Sequence, residues 1–224
     1  MAINKIIESA SATLAEVRDQ ATVLISGFGG SGFPNVLISA LRDAKPRGLT
    51  LVVNSATHPL SVTHELIEAG MVDKVIASAG RGRERNKLSI FEELLRDGKI
   101  EFECVPQGTM TERIRAGGAG LPAFYCPVGV GTDLCAGKEV RVFDGVECVL
   151  EHAIKGDLAL IRADSADRYG NLNFSYAQAN FGPAMATAAA LTIAEVRTTS
   201  TEALAPTAIG LSGVFVDHVL AVGD

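Results

Sequence analysis

The stretch that most limits what this chain can become is an apolar run, Thr22-Val23-Leu24-Ile25, that stops against Ser26-Gly27-Phe28-Gly29-Gly30-Ser31-Gly32-Phe33-Pro34. Val36, Leu37, Leu41 and Ala44 then recur at helical spacing. The pattern predicts strand, tight turn, helix. Glycine reaches positive φ and lets a backbone approach a ligand with no Cβ in the way, and Pro34 suits the first helical position, where no N–H partner is lost. N–H groups free at such a helix start face whatever lies above the strand end, so the turn favours an anion or an oxygen-rich ligand.

Gly27, Gly29 and Gly32 also satisfy the Gly-x-Gly-x-x-Gly template of dinucleotide sites. In that template the next strand ends in an acid that holds a ribose hydroxyl. Here Leu49-Thr50-Leu51-Val52-Val53 ends in Asn54-Ser55, which counts against NAD or FAD. A plainer reading gives the glycines only the task of close strand-to-helix packing.

The 224 residues suffice for one large α/β domain, expected over 1–224. Hydrophobic residues make up 47% but aromatic ones only 5%, so the core is expected to be Val, Ile, Leu and Ala, as in a parallel sheet buried under helices. A net charge of −6 provides no broad attraction for nucleic acid. Cys104, Cys126, Cys135 and Cys148 include no Cys-x-x-Cys pair, and the histidines form no ligand motif. No metal site is expected, and the cysteines read as small apolar packers in a reducing compartment. Charge within Met1-Ala2-Ile3-Asn4-Lys5-Ile6-Ile7-Glu8 argues against a signal core, and no apolar run nears membrane length, so a soluble cytoplasmic protein is expected.

Periodicity and breakers predict helices over 9–17, 34–44, 60–69, 90–96, 110–116 and 180–190. Strands are predicted over 22–25, 49–53, 74–79, 100–105, 157–163, 191–196 and 214–220. Asp144-Gly145 turns a β-hairpin of 140–143 and 146–150, and 164–171 reads as a polar turn. The expected fold is α/β, an open and mostly parallel sheet with helices on both faces, right-handed crossovers and the hairpin as an edge flap.

Gln107 follows a strand, on the side where open α/β sheets bind ligands, so its amide can donate to a thioester or carboxylate oxygen or hold a turn backbone. Gly80-Arg81-Gly82-Arg83-Glu84-Arg85-Asn86-Lys87 reads as a solvated loop or as a clamp for phosphate or carboxylate. The glycines of 117–120 and 129–132 read as a mobile wall beside a site. Ser26 and Ser31 lack a Gly-x-Ser-x-Gly elbow, His58 and His64 read as caps or packing, and Glu92, Glu93, Glu101, Glu103 and Glu112 fall on amphipathic faces. No side chain stands out as a covalent catalyst.

Several motifs can be read together in order: 25–34, Val105-Pro106-Gln107-Gly108-Thr109, 113–120, Pro127-Val128-Gly129-Val130-Gly131-Thr132, 157–163, Ala166-Asp167-Arg168-Tyr169-Gly170-Asn171 and Asn180-Phe181. In that order, over about 3–219, the chain resembles the A-type (alpha) subunit of the two-subunit 3-oxoacid (family I) CoA-transferases. The resemblance implies the CoA-transferase type of α/β fold and a heterodimer or heterotetramer with a homologous B-type CoA-transferase subunit. It implies acyl-CoA, with succinyl-CoA foremost, and carboxylic acids as substrates. Coenzyme A enters as a thioester substrate, with no permanently bound cofactor, metal, flavin or nicotinamide. The family's catalytic glutamate lies in a Ser-Glu-Asn-Gly motif on the B-type subunit, and this chain contains no such motif. The resemblance assigns Ser26, Gly27, Phe28, Gly29, Gly30, Ser31 and Gly32 to the CoA or acyl region, with Gln107 and Asn54 as supporting amides.

The chain departs from the family pattern in places. Asp19-Gln20 stands where Asp-Gly or Asn-Gly is usual, Ser26-Gly27-Phe28 replaces Gly-Gly-Phe, and Asn54-Ser55-Ala56-Thr57 replaces Asn-Asn-Ala-Gly. Gln178-Ala179-Asn180-Phe181-Gly182-Pro183 replaces Ala-Arg-Asn-Phe-Asn-Pro. A CoA-ester hydrolase or ring-cleaving enzyme on the same two-subunit scaffold is the enzymatic rival, and a noncatalytic ligand-sensing domain of this fold is the rival from another class.

Overall fold

Apolar runs alternate with amphipathic ones along the chain, and the computed structural model, which describes residues 3–80, 82 and 86–223, turns that alternation into strands and helices. In order these are β1 (Ile6–Ile7), α1 (Ser11–Leu14), β2 (Thr22–Ile25), α2 (Asn35–Ala44), β3 (Leu49–Ser55), α3 (Thr63–Glu68), β4 (Val72–Ala79), α4 (Ile90–Arg96) and β5 (Glu101–Cys104). There follow α5 (Gln107–Gly118), β6 (Ala123–Cys126), β7 (Val140–Phe143), β8 (Val146–His152), β9 (Gly156–Asp167), β10 (Leu172–Asn173), α6 (Gly182–Ala188), β11 (Ala189–Ser200) and β12 (His218–Ala221).

The main sheet runs β1-β12-β11-β9-β2-β3-β4-β5, with every pair on that path parallel and β10 antiparallel on β9. The chain builds outward from β2 to β5, then returns to place β9 on the other side of β2. Strand order therefore reverses between β2 and β9, and a ligand crevice opens outside the carboxyl ends at such a switch point. Ile25 pairs with Leu160, but β9 continues through 161–167 against β11, which carries this pair roughly 20 Å past the end of β2.

Alternate side chains of each strand enter opposite cores. Val23, Ile25, Leu51 and Val53 join Leu37, Ile38, Leu41, Leu66 and Phe91 from α2, α3 and α4, whereas Leu24 and Val52 face Met110, Ile114 and Met185 from α5 and α6. Both faces are covered, so the strands need apolar residues at every position, and each fully buried Leu or Ile contributes about 1.5–3 kcal/mol.

The hairpin forms where expected, with Asp144 and Gly145 at φ 49° and 79°, but it belongs to a separate three-stranded antiparallel sheet, β6-β8-β7. Other boundaries move. The first helix shortens to α1, and Pro34 precedes the first helical residue, Asn35. The predicted strand over 214–220 is a 3₁₀ turn at Gly213–Phe215 followed by β12, and the polar turn after β9 begins later because β9 runs through Asp167. The glycines expected to form a mobile wall are in part the tightly packed end of α5. A Cβ on Gly117 would lie 2.0 Å from the Ile154 carbonyl oxygen, and one on Gly118 2.2 Å from the Thr187 hydroxyl. Gln20, where the family pattern has glycine, adopts φ 64°. Among the described residues no helix is long and apolar enough to cross a membrane.

Asp167 closes the protruding end of β9. Its carboxylate accepts from Tyr169 N–H at 3.0 Å, Asn171 N–H at 3.0 Å, Asn171 Nδ2 at 2.8 Å and Leu204 N–H at 3.0 Å. Burial alone pushes this carboxyl up, but the Asn171 side chain and the N–H groups of Leu204, Asn171 and Tyr169 outweigh it and hold the group below its ordinary value. A depressed native pKa contributes stability above the unfolded value, near pH 4, and loses it as pH falls through the native value. Asp167→Asn is expected to cost about 1–3 kcal/mol at pH 7, with the gap from wild type closing below about pH 4, as read from urea unfolding across pH.

Candidate functional site

The glycine stretch leaves β2 at the switch point and forms a miniature hairpin before α2 begins. Phe28 and Ser31 exchange backbone hydrogen bonds of 3.0 Å each, and Gly29 and Gly30 between them take φ 59° and 91°. Two consecutive positive φ values match the turn that suits strand twist, and glycine takes them without Cβ strain. The tip is exposed, and a Cβ on Gly29 would meet nothing within 4 Å.

The outer glycines have a different reason. Gly27, at φ 127°, would place a Cβ 2.1 Å from the Phe33 ring, and Gly32, at φ 79°, would place one 2.6 Å from Asn180 Nδ2 and 2.9 Å from the Gln178 carbonyl oxygen. Their empty Cβ positions are filled by the chain itself. Close packing therefore accounts for Gly27 and Gly32, while Gly29 and Gly30 present open backbone.

Four side chains clamp this turn, two by hydrogen bonds and two by ring contacts. Ser26 is 2% exposed; its hydroxyl donates to the Gly32 carbonyl at 2.7 Å and accepts from Arg162 N–H at 3.1 Å. Its side chain is thus turned inward, away from the solvent-facing tip. Asn180 Oδ1 accepts from Gly27 N–H at 3.1 Å and from Phe181 N–H at 2.7 Å, while Nδ2 donates to the carbonyls of Ser31 at 3.2 Å and Ala177 at 2.8 Å. Phe28 meets Phe181 edge-on with ring centroids 6.4 Å apart, and Phe33 stacks on His58 at 4.7 Å.

The helix start does not face an open anion site, contrary to the sequence expectation. Glu195 on β11, 2% exposed, accepts through Oε2 from Val36 N–H at 2.8 Å and Leu37 N–H at 3.0 Å, and its Oε1 pairs with Arg162. An internal carboxylate takes the place that the dipole of α2 offers to an anion. Burial drives the Glu195 carboxyl above its ordinary value, against the opposing Leu37 N–H, Arg162 guanidinium and Val36 N–H. The signal for Glu195 was a lone acid in Leu191-Thr192-Ile193-Ala194-Glu195-Val196, because a charge in a doubly buried strand requires partners.

Asn54 lies one residue before the end of β3, and the Ser78 hydroxyl holds it from 2.8 Å at its carbonyl and 3.0 Å at its Oδ1. Gln107 opens α5 at the end of β5 with its side chain exposed. Three strand spacings separate β5 from β2, about 14 Å, so Gln107 and the glycine tip flank the carboxyl edge without touching. A cavity of about 500 Å³ opens at the ends of β3 and β4, with His58, His64, Glu68 and Lys87 in its lining. His58 and His64 cap and pack: His58 Nδ1 accepts from Leu60 N–H at 3.2 Å, and His64 Nδ1 lies 2.9 Å from the Ser61 carbonyl. Arg81, Arg83, Glu84 and Arg85 of the basic segment lie outside the described residues.

Four of the five carboxylates singled out by sequence have structural partners, and Glu93 is exposed at the rim of the cavity. Glu92 completes a capping box with Ser89, Glu112 pairs with Arg115, and Glu101 with Lys74. Glu103 is pushed up by burial, but Arg113 and then Lys74 outweigh this and hold it below the ordinary range. Among the described residues no group of three or more His, Cys, Asp or Glu side chains could hold a metal ion. Around the glycine tip, Asn54 and Gln107, the described residues offer backbone N–H groups, carboxamides and an exposed phenyl ring, with the side chains of the cavity beside them. These donors can stabilise a developing oxyanion, but they cannot attack a carbonyl.

Residues 7–221 match the family described as Coenzyme A transferase. The chain is 42% identical over 221 residues to the A subunit of the 3-oxoadipate CoA-transferase of Pseudomonas putida, covering 98% of this chain and 94% of that protein. It is 41% identical over 215 residues to the A subunit of the succinyl-CoA:3-ketoacid coenzyme A transferase of Xanthomonas campestris pv. campestris (strain B100), covering 95% and 86%. Its fold also matches an acyl-CoA transferase apoenzyme from Escherichia coli O157:H7, with a TM-score of 0.82 at 22% identity. That superposition covers 98% of this chain but spans only about half, 47%, of the larger one.

The two classes of glycine are separable by substitution. Gly27→Ala and Gly32→Ala are each expected to destabilise the chain by about 2–4 kcal/mol, from left-handed strain plus overlap, whereas Gly29→Ala is expected to cost about 1–2 kcal/mol. Denaturant unfolding of the three variants measures the difference.

Proposed function

The chain belongs to the coenzyme A transferase family as its A-type subunit, and on that basis we propose that it forms half of an active site completed by a B-type partner. The pair moves coenzyme A from an acyl-CoA, foremost succinyl-CoA, to the carboxylate of a 3-oxo acid. The observation that carries this reading is the Gly29-Gly30 tip, which presents open backbone at the sheet's switch point with no evident nucleophile beside it among the described residues. Donors without a nucleophile suit a reaction whose attacking carboxylate comes from elsewhere.

In the proposed cycle a glutamate of the B-type partner attacks the thioester carbonyl, forming an acyl-glutamyl anhydride and releasing CoA thiolate. The thiolate attacks the glutamyl carbonyl, giving a glutamyl-CoA thioester and the free acid. The acceptor carboxylate then runs these steps in reverse. Each addition places negative charge on one oxygen, which fixed N–H donors stabilise without reorganisation. The turn carrying Phe28, Gly29 and Gly30 is assigned to the CoA and acyl region. Asn54 and Gln107 are assigned as amide donors to the thioester or the substrate carboxylate.

The isolated chain is expected to lack transferase activity with succinyl-CoA and a 3-oxo acid, and to gain it when a B-type partner is added. Full activity from this chain alone would refute the half-site reading. Sustained CoA release by the pair with acyl-CoA and no acceptor would replace transfer with hydrolysis.

Gln107→Ala is expected to lower kcat on the order of 10²-fold, the effect of deleting one oxyanion donor. Because Gln107 is exposed, its stability is expected to stay within about 0.5 kcal/mol of wild type. Steady-state kinetics together with gel filtration of the heteromer check both parts.

A further inference from the structure

The proposed cycle uses the glycine tip, yet one of the most buried charges in the chain lies just behind it with no part in the chemistry. Glu195 joins three elements: its Oε2 accepts both N–H groups that open α2, its Oε1 holds Arg162 of β9, and it stands itself on β11. Arg162 in turn donates its backbone N–H to Ser26 Oγ at 3.1 Å, and that hydroxyl donates to the Gly32 carbonyl at 2.7 Å. The turn is therefore gripped at both ends, at its entry through Ser26 and at its exit through α2. Both grips meet at Arg162.

A buried ion pair is weak support for stability, because desolvating two charges offsets most of their attraction. Its clearer consequence is geometric. The carboxylate can keep both N–H bonds and the guanidinium only if α2, β9 and β11 hold one relative placement, and that placement sets where 27–32 projects. Ser26 adds a further lock where the family pattern has glycine, which has no side chain to make either bond.

We infer that Glu195 is a positioning residue for the transfer site: with Arg162 and Ser26 it fixes the backbone donors of the glycine turn in the orientation that meets the developing oxyanion. The inference rests on the transferase reading above, but hydrogen exchange tests it independently. In the isolated chain, Glu195→Gln keeps the shape and loses the charge. Exchange of the paired turn amides of Gly27, Phe28 and Ser31 is expected to accelerate at least tenfold, with the amides of β3 and β4 unchanged. Equal protection in variant and wild type overturns the inference, and so does uniform acceleration across the sheet, which marks a purely structural role.

Kinetics with the B-type partner supply the second arm. Glu195→Gln is expected to lower kcat about tenfold or more with little change in KM, the mark of an interaction made in the transition state. Ser26→Ala is expected to cost less in the Glu195→Gln background than alone, because both act on one turn; independent, additive losses overturn the coupling. If Glu195→Gln does not fold, Glu195→Asp replaces it, with the same outcomes read on the same amides. Inactivity of the wild-type pair would refute the transferase reading and leave the exchange result standing.

Discussion

Parallel pairing of β2 between β3 and β9 governs the architecture. A central parallel strand loses solvent on both faces, so it must be apolar throughout, and all its neighbours must point their carboxyl ends the same way. Every loop that leaves those ends then gathers on one edge. Because the chain builds outward from β2 and only later returns to its other side, the first loop, the glycine turn, stands where the crossovers diverge and leave a crevice.

Polar groups brought to that edge are placed in surroundings where an unmet hydrogen bond costs roughly 1–3 kcal/mol. The chain meets them with side chains from distant segments. Asn180 serves Gly27 and Ser31, Glu195 serves the start of α2, and Asp167 gathers four N–H groups at the far end of β9. Each is a buried or half-buried acceptor with more than one donor. Such networks specify a single arrangement more than they add stability, since an arrangement that satisfies only part of one leaves a desolvated group behind.

On the proposed reading the chemistry around the glycine turn is one-sided. Amide and backbone donors are well supplied, while Glu92 is committed to a cap and Glu101, Glu103 and Glu112 to ion pairs. The half-site proposed for this A-type subunit follows from this division, with binding groups on a rigid sheet and the attacking carboxylate expected from the B-type partner. The long β9 and β11 extend the rigid part beyond the edge, so the turn is backed by hydrogen-bonded strand.

The order of residues alone was enough to set the class of fold and the place of the turn. Doubly buried strands read as unbroken apolar runs, glycines and prolines mark breaks, and Asp144-Gly145 announces its hairpin, because all of these are local properties of the backbone. The positions of Asn54 and Gln107 near the carboxyl ends of β3 and β5 were legible for the same reason, while their part in the chemistry is a proposal. Long-range packing selected which glycines are open and which are filled by Phe33 and Asn180, joined the hairpin to β6 in its own sheet, and set Glu195 at the helix start. Those outcomes pair residues up to 159 positions apart, as Val36 is from Glu195, and no periodicity carries that information. Local pattern sets what a segment becomes, but the partner of a buried polar group is chosen by packing across the whole chain.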